Sequence, residues 1–470
     1  MKNRPKGTYP FANRLIALCV TAVMVVVCLT GCATGTAISE KADFGEIMEA
    51  LRTDLFGSAA QDCRQLSLTL PVHAGFAPIE DKSAYDSLAD ETLRRAYLDI
   101  EESLFQISAE TDGQTGYYLM KYTRLPSDMA FDDIYIVKEA VLCDHPEVFW
   151  VLGSYDIRNN FHDGNYLVLY SRYSYEEITA AFDEINRTTE DILAQIPDDA
   201  DELHREMVIH DALVDSVSYD LEAAESDDST SDAFTMYGAM VKKQAVCSGY
   251  AYASKMLLNR VGIASRVVVG MSKNSGHMWN EVRIDGKWYH LDVTWDDSSA
   301  DSDVMYNRYH YFNLNDEMIG RNHKIGKNIR EMVCEYTDDG VYTTAELYNF
   351  DLEPADSLDA NYYALYAASV TAMDKNGVAV ITDKMKQASR NRQELVYIRF
   401  DDSVSSESAE AWLATSEGGH YSALRQALAD ANNAREGARI KYCTLARMWN
   451  DDSEEESVWK NLYAARLVYA

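Results

Sequence analysis

The sequence predicts an α+β fold in which a helix beginning at a cysteine packs on an antiparallel sheet that carries a histidine and an aspartate. Three observations lead there. First, Ala245-Val-Cys-Ser-Gly-Tyr-Ala opens a run with apolar or small residues at three- and four-residue steps (Tyr250/Ala251, Ser254, Leu257/Leu258, Val261), and Gly262 can end it. Second, Arg266–Met271 reads as a strand, and His277–Ile284 and Lys287–Trp295 read as two more joined by Asp285-Gly286, the strongest short hairpin signal. Third, helical and strand patterns also alternate on both sides of this segment, so α/β regions flank the core.

In chain order, the first element is an address. Lys2, Arg4, Lys6 and Arg14 precede an apolar run from Leu15 to Leu29, and no acidic residue occurs before Glu40. A basic start followed by about fifteen apolar residues is the pattern of an export signal, and falls short of the roughly twenty a spanning helix needs. Leu29-Thr30-Gly31-Cys32 resembles a bacterial lipobox, which implies cleavage before Cys32 and a lipid on its thiol, hence an extracytoplasmic, membrane-anchored lipoprotein. Residues 1–31 are then leader and 32–60 a tether with a short helix. A region over 61–205 follows. In it, Leu93, Tyr97, Ile100 and Leu104 mark a helix after Ser87 and Asp90, while Glu147–Leu152 and Asn165–Tyr170 look like strands. Ser174 and Glu177 form a capping box before a helix with Ile178, Phe182, Ile185, Ile192 and Ile196 on one face. Another helix covers about 201–217, and 221–232 is an acidic, Ser-rich loop whose charges serve solvation. The core spans 206–325, a connector 326–355, and a C-terminal α/β domain 356–470. In that last domain Tyr362–Val370 and Leu395–Phe400 read as strands, helical spacing marks Ala409–Leu413 and Leu424/Leu428, and Ile440–Leu445 and Leu462–Val468 close as strands.

Composition narrows the partners. The 470 residues hold 43 Lys+Arg against 76 Asp+Glu, a net charge of −33, and losing the leader removes four basic residues and no acidic one, leaving −37. A field of that sign repels a phosphate backbone, so nucleic acid is excluded, and it disfavours docking on anionic lipid by charge. Apolar residues make up 47%, enough for well-buried cores. Past the leader and Cys32, five cysteines remain: Cys63, Cys143, Cys247, Cys334 and Cys443. They form no C-x-x-C pair and no zinc spacing with histidine, so no metal and no cofactor is expected. The Asp-rich stretch Asp296–Asp303 lacks the spacing of an EF-hand calcium loop.

Chemistry concentrates around Cys247. At a helix N-terminus the free amides and the dipole favour thiolate, where a nucleophilic cysteine belongs. The two-residue turn fixes the hairpin register: Ile284 faces Lys287, so Glu281 faces His290, Trp279 faces Asp292 and His277 faces Thr294. Opposed residues share a face, which makes His277 and Asp292 diagonal neighbours on it, about 7–8 Å apart at the backbone. Cys247 as nucleophile, His277 as proton carrier and Asp292 as its orienter complete an acyl-transfer triad. His290 shares the face but pairs with Glu281, and Asp296 and Asp297 lie past the last paired position. The Cys247 amide is the natural first oxyanion donor, with Gln244 and Tyr237 as candidates for the second; Trp279 is expected to wall the site, and Tyr250 and Trp295 to pack.

These motifs resemble the transglutaminase-like superfamily. The resemblance rests on Tyr237-Gly-Ala-Met-Val, Ala245-Val-Cys-Ser-Gly-Tyr-Ala, His277-Met-Trp-Asn and Trp288-Tyr-His-Leu-Asp-Val-Thr-Trp-Asp, with Tyr311-Phe-Asn and His323 at the domain's end. Asp144-His-Pro-Glu-Val-Phe-Trp is similar to a segment found upstream in such proteins. The resemblance covers about 206–325 and implies a papain-like fold with Cys247, His277 and Asp292 as triad. Met278 stands where many relatives have Ala. It further implies a cysteine peptidase or amidase on protein or peptide substrates. The alternatives are a protein-glutamine transglutaminase with an amine acceptor and a non-catalytic envelope-binding lipoprotein.

Overall fold

The computed structural model describes residues 67–470 apart from 71–81, 161–163, 227–229, 273–274, 298–307, 327–330, 337–341, 415–421, 449–456 and positions 89, 128, 348 and 351. The leader, Cys32, the tether, Cys63 and the Asp-rich positions 298–303 lie outside the described residues.

Strand β1 (Ser67–Thr69) and helices α1 (Ser83–Ser87) and α2 (Glu91–Leu104) lead into β2 (Gln106–Thr111), β3 (Tyr118–Met120) and β4 (Thr123–Arg124). Helix α3 (Phe131–Asp144), β5 (Val151–Asn160), β6 (Gly164–Ser171) and α4 (Tyr175–Leu193) follow. The strands form one antiparallel sheet in the order β1-β2-β3-β6-β4, with β5 also on β6. Asp90 caps α2 through the Thr92 amide, and Ser174 with Glu177 forms the capping box of α4 as its sequence requires. The strand expected over Glu147–Leu152 begins only at Val151. The stretch before it is a buried turn, fixed by hydrogen bonds from the Val148 and Phe149 amides and by the Trp150 indole donating to the Leu104 carbonyl at 3.0 Å.

Helix α5 (Glu202–Ser216), capped by Asp201, precedes β7 (Ser218–Tyr219), α6 (Leu221–Glu225) and β8 (Gln244–Ala245). The acidic stretch 221–232 is therefore partly helical, because Asp220 caps α6, and Asp232 is held by Arg172 and Tyr173 rather than only solvated. Next come α7 (Cys247–Arg260), β9 (Ser265–Ser272), β10 (Ser275–Ile284), β11 (Lys287–Leu291), α8 (Val293–Asp296), α9 (Asp316–Ile319) and β12 (His323–Ile325). The sheet runs β11-β10-β9-β12, antiparallel throughout. Asp285 and Gly286 both take positive φ (49° and 81°), as a type I′ turn demands, and the pairing runs Ile284↔Lys287 to Asn280↔Leu291. The register is the one the turn dictates. The second strand, though, stops at Leu291 instead of running to Trp295, because the Asp292 carboxylate accepts the Trp295 amide at 3.2 Å and starts α8.

The hairpin β13 (Glu331–Tyr336) and β14 (Tyr342–Leu347) leads to α10 (Tyr362–Tyr366), β15 (Ala368–Val370), α11 (Lys375–Asn391), β16 (Leu395–Phe400), α12 (Ser406–Ala414), α13 (Ala423–Ala434), β17 (Ile440–Arg447) and β18 (Leu462–Tyr469). The last sheet is ordered β15-β16-β18-β17, with β15 and β16 parallel. The strand expected over Tyr362–Val370 is a helical turn plus a short strand, since the Asn361 side chain caps the Ala364 amide. Helix α11 fills a stretch not assigned from the sequence; Ile381, Met385 and Ala388 are the sparse markers of its buried stripe.

One apolar core extends from Tyr97, Ile100 and Trp150 through Leu257 and Leu258 of α7 to Val268 and Val282 of the sheet, and a second lies under β16 and β18 around Ile381, Ile398 and Leu467. The Asp144-His-Pro-Glu-Val-Phe-Trp segment ties α1 and α2 to the aromatic cluster around Tyr237. Asp144 accepts the Ala84 and Tyr85 amides and the Tyr97 hydroxyl, and Phe149 stacks on Tyr237 at 4.8 Å.

Gly249, two residues past the cysteine, shows why that motif needs a glycine. A Cβ there would meet the Ala233 carbonyl oxygen at 2.5 Å and the Ala245 side chain at 2.9 Å. Gly249→Ala is therefore expected to destabilise the protein by about 1–3 kcal/mol, read as a lowered melting temperature, with slower Cys247 labelling as α7 is pushed off its seat. An unchanged melting temperature would show that the loop at Ala233 yields freely.

Candidate active site

Cys247 is the first residue of α7 and is partly exposed. Val246, at the N-cap, supplies no side-chain acceptor, so its side chain leaves the first-turn amides, that of Cys247 included, uncapped. Uncapped amides at the positive end of a helix can bind an oxyanion. The helix packs directly on β10, where the Asn280 side chain donates to the Ala251 carbonyl at 3.0 Å and fixes the two elements against each other.

The structure brings the three predicted residues together. Nε2 of His277 lies 2.7 Å from Oδ2 of Asp292, and the His277 ring is also hydrogen-bonded to Cys247. Asp292 has no solvent exposure and His277 only 8%. Burial disfavours a charge on His277, but the Asp292 carboxylate, its hydrogen bond and the Cys247 sulfur outweigh it and raise the imidazole to about 10. Burial likewise pushes the Asp292 carboxyl up. The His277 charge and hydrogen bond, with that of His323, prevail and hold it well below the usual carboxylate range. Both shifts favour an imidazolium–carboxylate pair beside the sulfur.

Other residues distribute as follows. Trp279 is buried and stacks on the His277 ring (5.7 Å, 22°) while donating to Nδ1 of His290 at 3.3 Å, so it walls the site. His290 sits opposite Glu281 in the ladder, but its ring bonds Trp279 and Asp316. Asp296 bonds His210 at 3.1 Å, and Asp297 accepts the Tyr250 hydroxyl. Of the two oxyanion candidates, Gln244 is exposed on β8. Tyr237 is buried in an aromatic stack with Phe149, with Lys242 5.0 Å over its ring. Tyr219, not singled out from the sequence, is half-buried on β7, paired in parallel with β8 two residues before Cys247. Burial and the nearby Cys247 and Asp292 charges push its phenol up to about 12. A cavity of about 210 Å³ bordered by Lys138, His145, Phe234, Ser248 and Tyr252 lies beside the start of α7.

His323 is the second residue the sequence left without a role. Its Nε2 lies 3.1 Å from the same Oδ2 of Asp292; the sequence marked it only as the end of the domain, and it reaches the site from β12, 31 residues away. His277, Asp292 and His323 are the one trio of metal-type ligands converging within 4.8 Å among the described residues. Both imidazoles are hydrogen-bonded to the carboxylate, so the trio stands as a hydrogen-bond network. Cys143 and Cys443 are unpaired.

A helix-borne cysteine facing a sheet-borne, aspartate-held histidine defines a papain-like α+β core. Residues 188–293 match the transglutaminase-like superfamily, whose members are generally cysteine hydrolases or acyltransferases, so the chain carries a transglutaminase-like domain. Similar curated proteins are the kyphoscoliosis peptidases of Mus musculus (26% identical over 144 residues, 27% of this chain and 21% of that protein) and Homo sapiens (26% over 112 residues, 20% and 17%). The match thus spans about a fifth of the relatives' length. A crystal structure of a TGase aligns at 16% identity with a TM-score of 0.24, covering 37% of this chain and 50% of that one.

Proposed function

We propose that the protein is a cysteine hydrolase of protein or peptide amide bonds, held outside the cytoplasm by a lipid on Cys32. The observation that carries the chemistry is the 2.7 Å His277–Asp292 bond beside a cysteine at a helix N-terminus. The Cys247 sulfur attacks the amide carbon, and the imidazolium of His277 gives its proton to the departing amine, leaving an acyl-thioester. Water then attacks the thioester carbon, His277 takes a proton from it, and the acid leaves as the thiolate re-forms. Asp292 keeps the ring oriented through both steps. The uncapped amide of Cys247 is suited to the oxyanion. The peptidase names of the curated relatives favour water over an amine as acceptor. The anchor rests on the basic leader and the Leu-Thr-Gly-Cys end alone.

The test is mass spectrometry of glutamine-containing peptides incubated with the protein, with and without a primary amine. Chain cleavage or deamidation that persists when amine is added is the expected result. Dominant amine incorporation would make the enzyme a transferase through the same thioester. No Cys247-dependent product of any kind would leave a binding lipoprotein.

A further inference from the structure

Asp292 serves two histidines, and the acyl-transfer scheme uses only one. We propose that His323 is a positioning residue for the reaction, its Nε2–H locking Oδ2 of Asp292 so that the carboxylate presents one fixed orientation, and a shared charge, to His277. This rests on the Cys247–His277–Asp292 chemistry described above.

The geometry is specific. Asp292 is fully buried, and each oxygen is committed: Oδ1 accepts the Trp295 amide at 3.2 Å, and Oδ2 accepts both His277 (2.7 Å) and His323 (3.1 Å). A buried carboxylate with one donor missing is less firmly held and is costly to leave under-satisfied. His323 is itself rigid. Its ring lies against His277 (5.3 Å), Trp279 (5.0 Å), Trp295 (5.0 Å) and Tyr311 (5.5 Å). Its Nδ1 is 2.7 Å from Oδ1 of Asn322, whose Nδ2 donates to the Tyr311 hydroxyl at 2.8 Å. Strand pairing of His323 with Ser272 sets its height on the sheet.

Charge points the same way. The titratable groups around the carboxylate are Cys247 from α7, His277 from β10, His290 from β11, Asp296 from α8, Tyr219 from β7 and His323 itself. Burial keeps His323 below the ordinary histidine value, and the charges of His277 and His290 act with it against the pull of Asp292. Donation from Nε2 takes up part of the carboxylate's hydrogen-bonding capacity. Removing that donor leaves more of the aspartate's basicity on His277, so His277 should hold its proton more tightly and return it less readily.

The test compares wild type with His323→Phe, which keeps ring bulk and loses the donor, and His323→Gln, which keeps a donor. The readouts are the rate of Cys247 carbamidomethylation by iodoacetamide and the rate of peptide hydrolysis, from pH 5 to 10.5, with thermal melts as the folding control. In His323→Phe the rates should fall about tenfold to a hundredfold, as for outer-shell partners of catalytic groups, and the basic limb should move up. His323→Gln should restore much of both. Should His323→Phe fail to fold, the nitrogen chemical shifts of His323 in the wild-type protein decide. A ring protonated at Nε2 is expected, and one protonated only at Nδ1 overturns the proposal. A folded His323→Phe with wild-type rates and limb also overturns it, as does a His323→Gln no better than His323→Phe. A wild-type Cys247 no more reactive than a simple thiol overturns the triad itself, and His323's role with it.

Discussion

Cys247→Ala is expected to abolish acyl transfer, lowering kcat by about 10⁴-fold or more, because among the described residues no other thiol lies beside His277. Labelling by a thiol electrophile near neutral pH should disappear from the peptide containing position 247. The other described thiols do not substitute. Burial pushes Cys143 far above the ordinary thiol value, and pushes Cys443 up to about 11. The fold should survive, since the side chain is small and only partly buried. The variant also reports on His277. The Cys247 sulfur is one contributor to its raised value, behind the Asp292 charge and hydrogen bond. In Cys247→Ala the imidazole should therefore titrate below about 10 but still above an unperturbed histidine, measurable by nitrogen-resolved NMR. More than a hundredth of wild-type turnover in a purified Cys247→Ala sample would place the chemistry elsewhere.

Asp292→Asn should cost about 10³–10⁴-fold in kcat with little change in KM. An amide still fills the site, but its NH₂ group faces rings that must themselves donate, so His277 loses both its anion and its correct tautomer. The same change has a pH signature in stability. His277 is raised to about 10 in the folded protein, so the stability from its charge is fully present below the unfolded value near 6.5 and is lost as pH rises toward 10. Asp292 is depressed, so its contribution is present above about pH 4 and is lost as pH falls below that. The melting-temperature gap between wild type and Asp292→Asn should thus be widest near pH 5–6 and should narrow toward pH 10. A gap independent of pH would mean that the two groups are not an ion pair.

Much of this site was legible from spacing. Asp285-Gly286 with its two positive φ angles sets the hairpin register, but the ladder ends at Asn280↔Leu291; the expected pairs Trp279–Asp292 and His277–Thr294 lie beyond it, and Asp292 meets His277 from the cap of α8. The cysteine at a helix start followed from periodicity after Val246. The glycine in that motif acquires a reason only in the folded chain, where its missing Cβ admits the Ala233 carbonyl. Places where the strand pattern misled share a cause. At Asp292, Asn361 and Asp220 a side chain captured a nearby amide and converted apparent strand or loop into a helical turn.

The sequence by itself determined the nucleophile's helix, the hairpin and its register, and the three residues that carry the proposed chemistry. Those features depend on turn geometry and residue period, which act over a few residues and leave a readable spacing. Only the tertiary structure decided that His323 would reach Asp292, that Tyr219 would lie beside Cys247, and that Tyr237 would stack with Phe149. These contacts join residues far apart in the chain through strand order and packing, and side-chain burial at such distances imposes no period on the residues that make it.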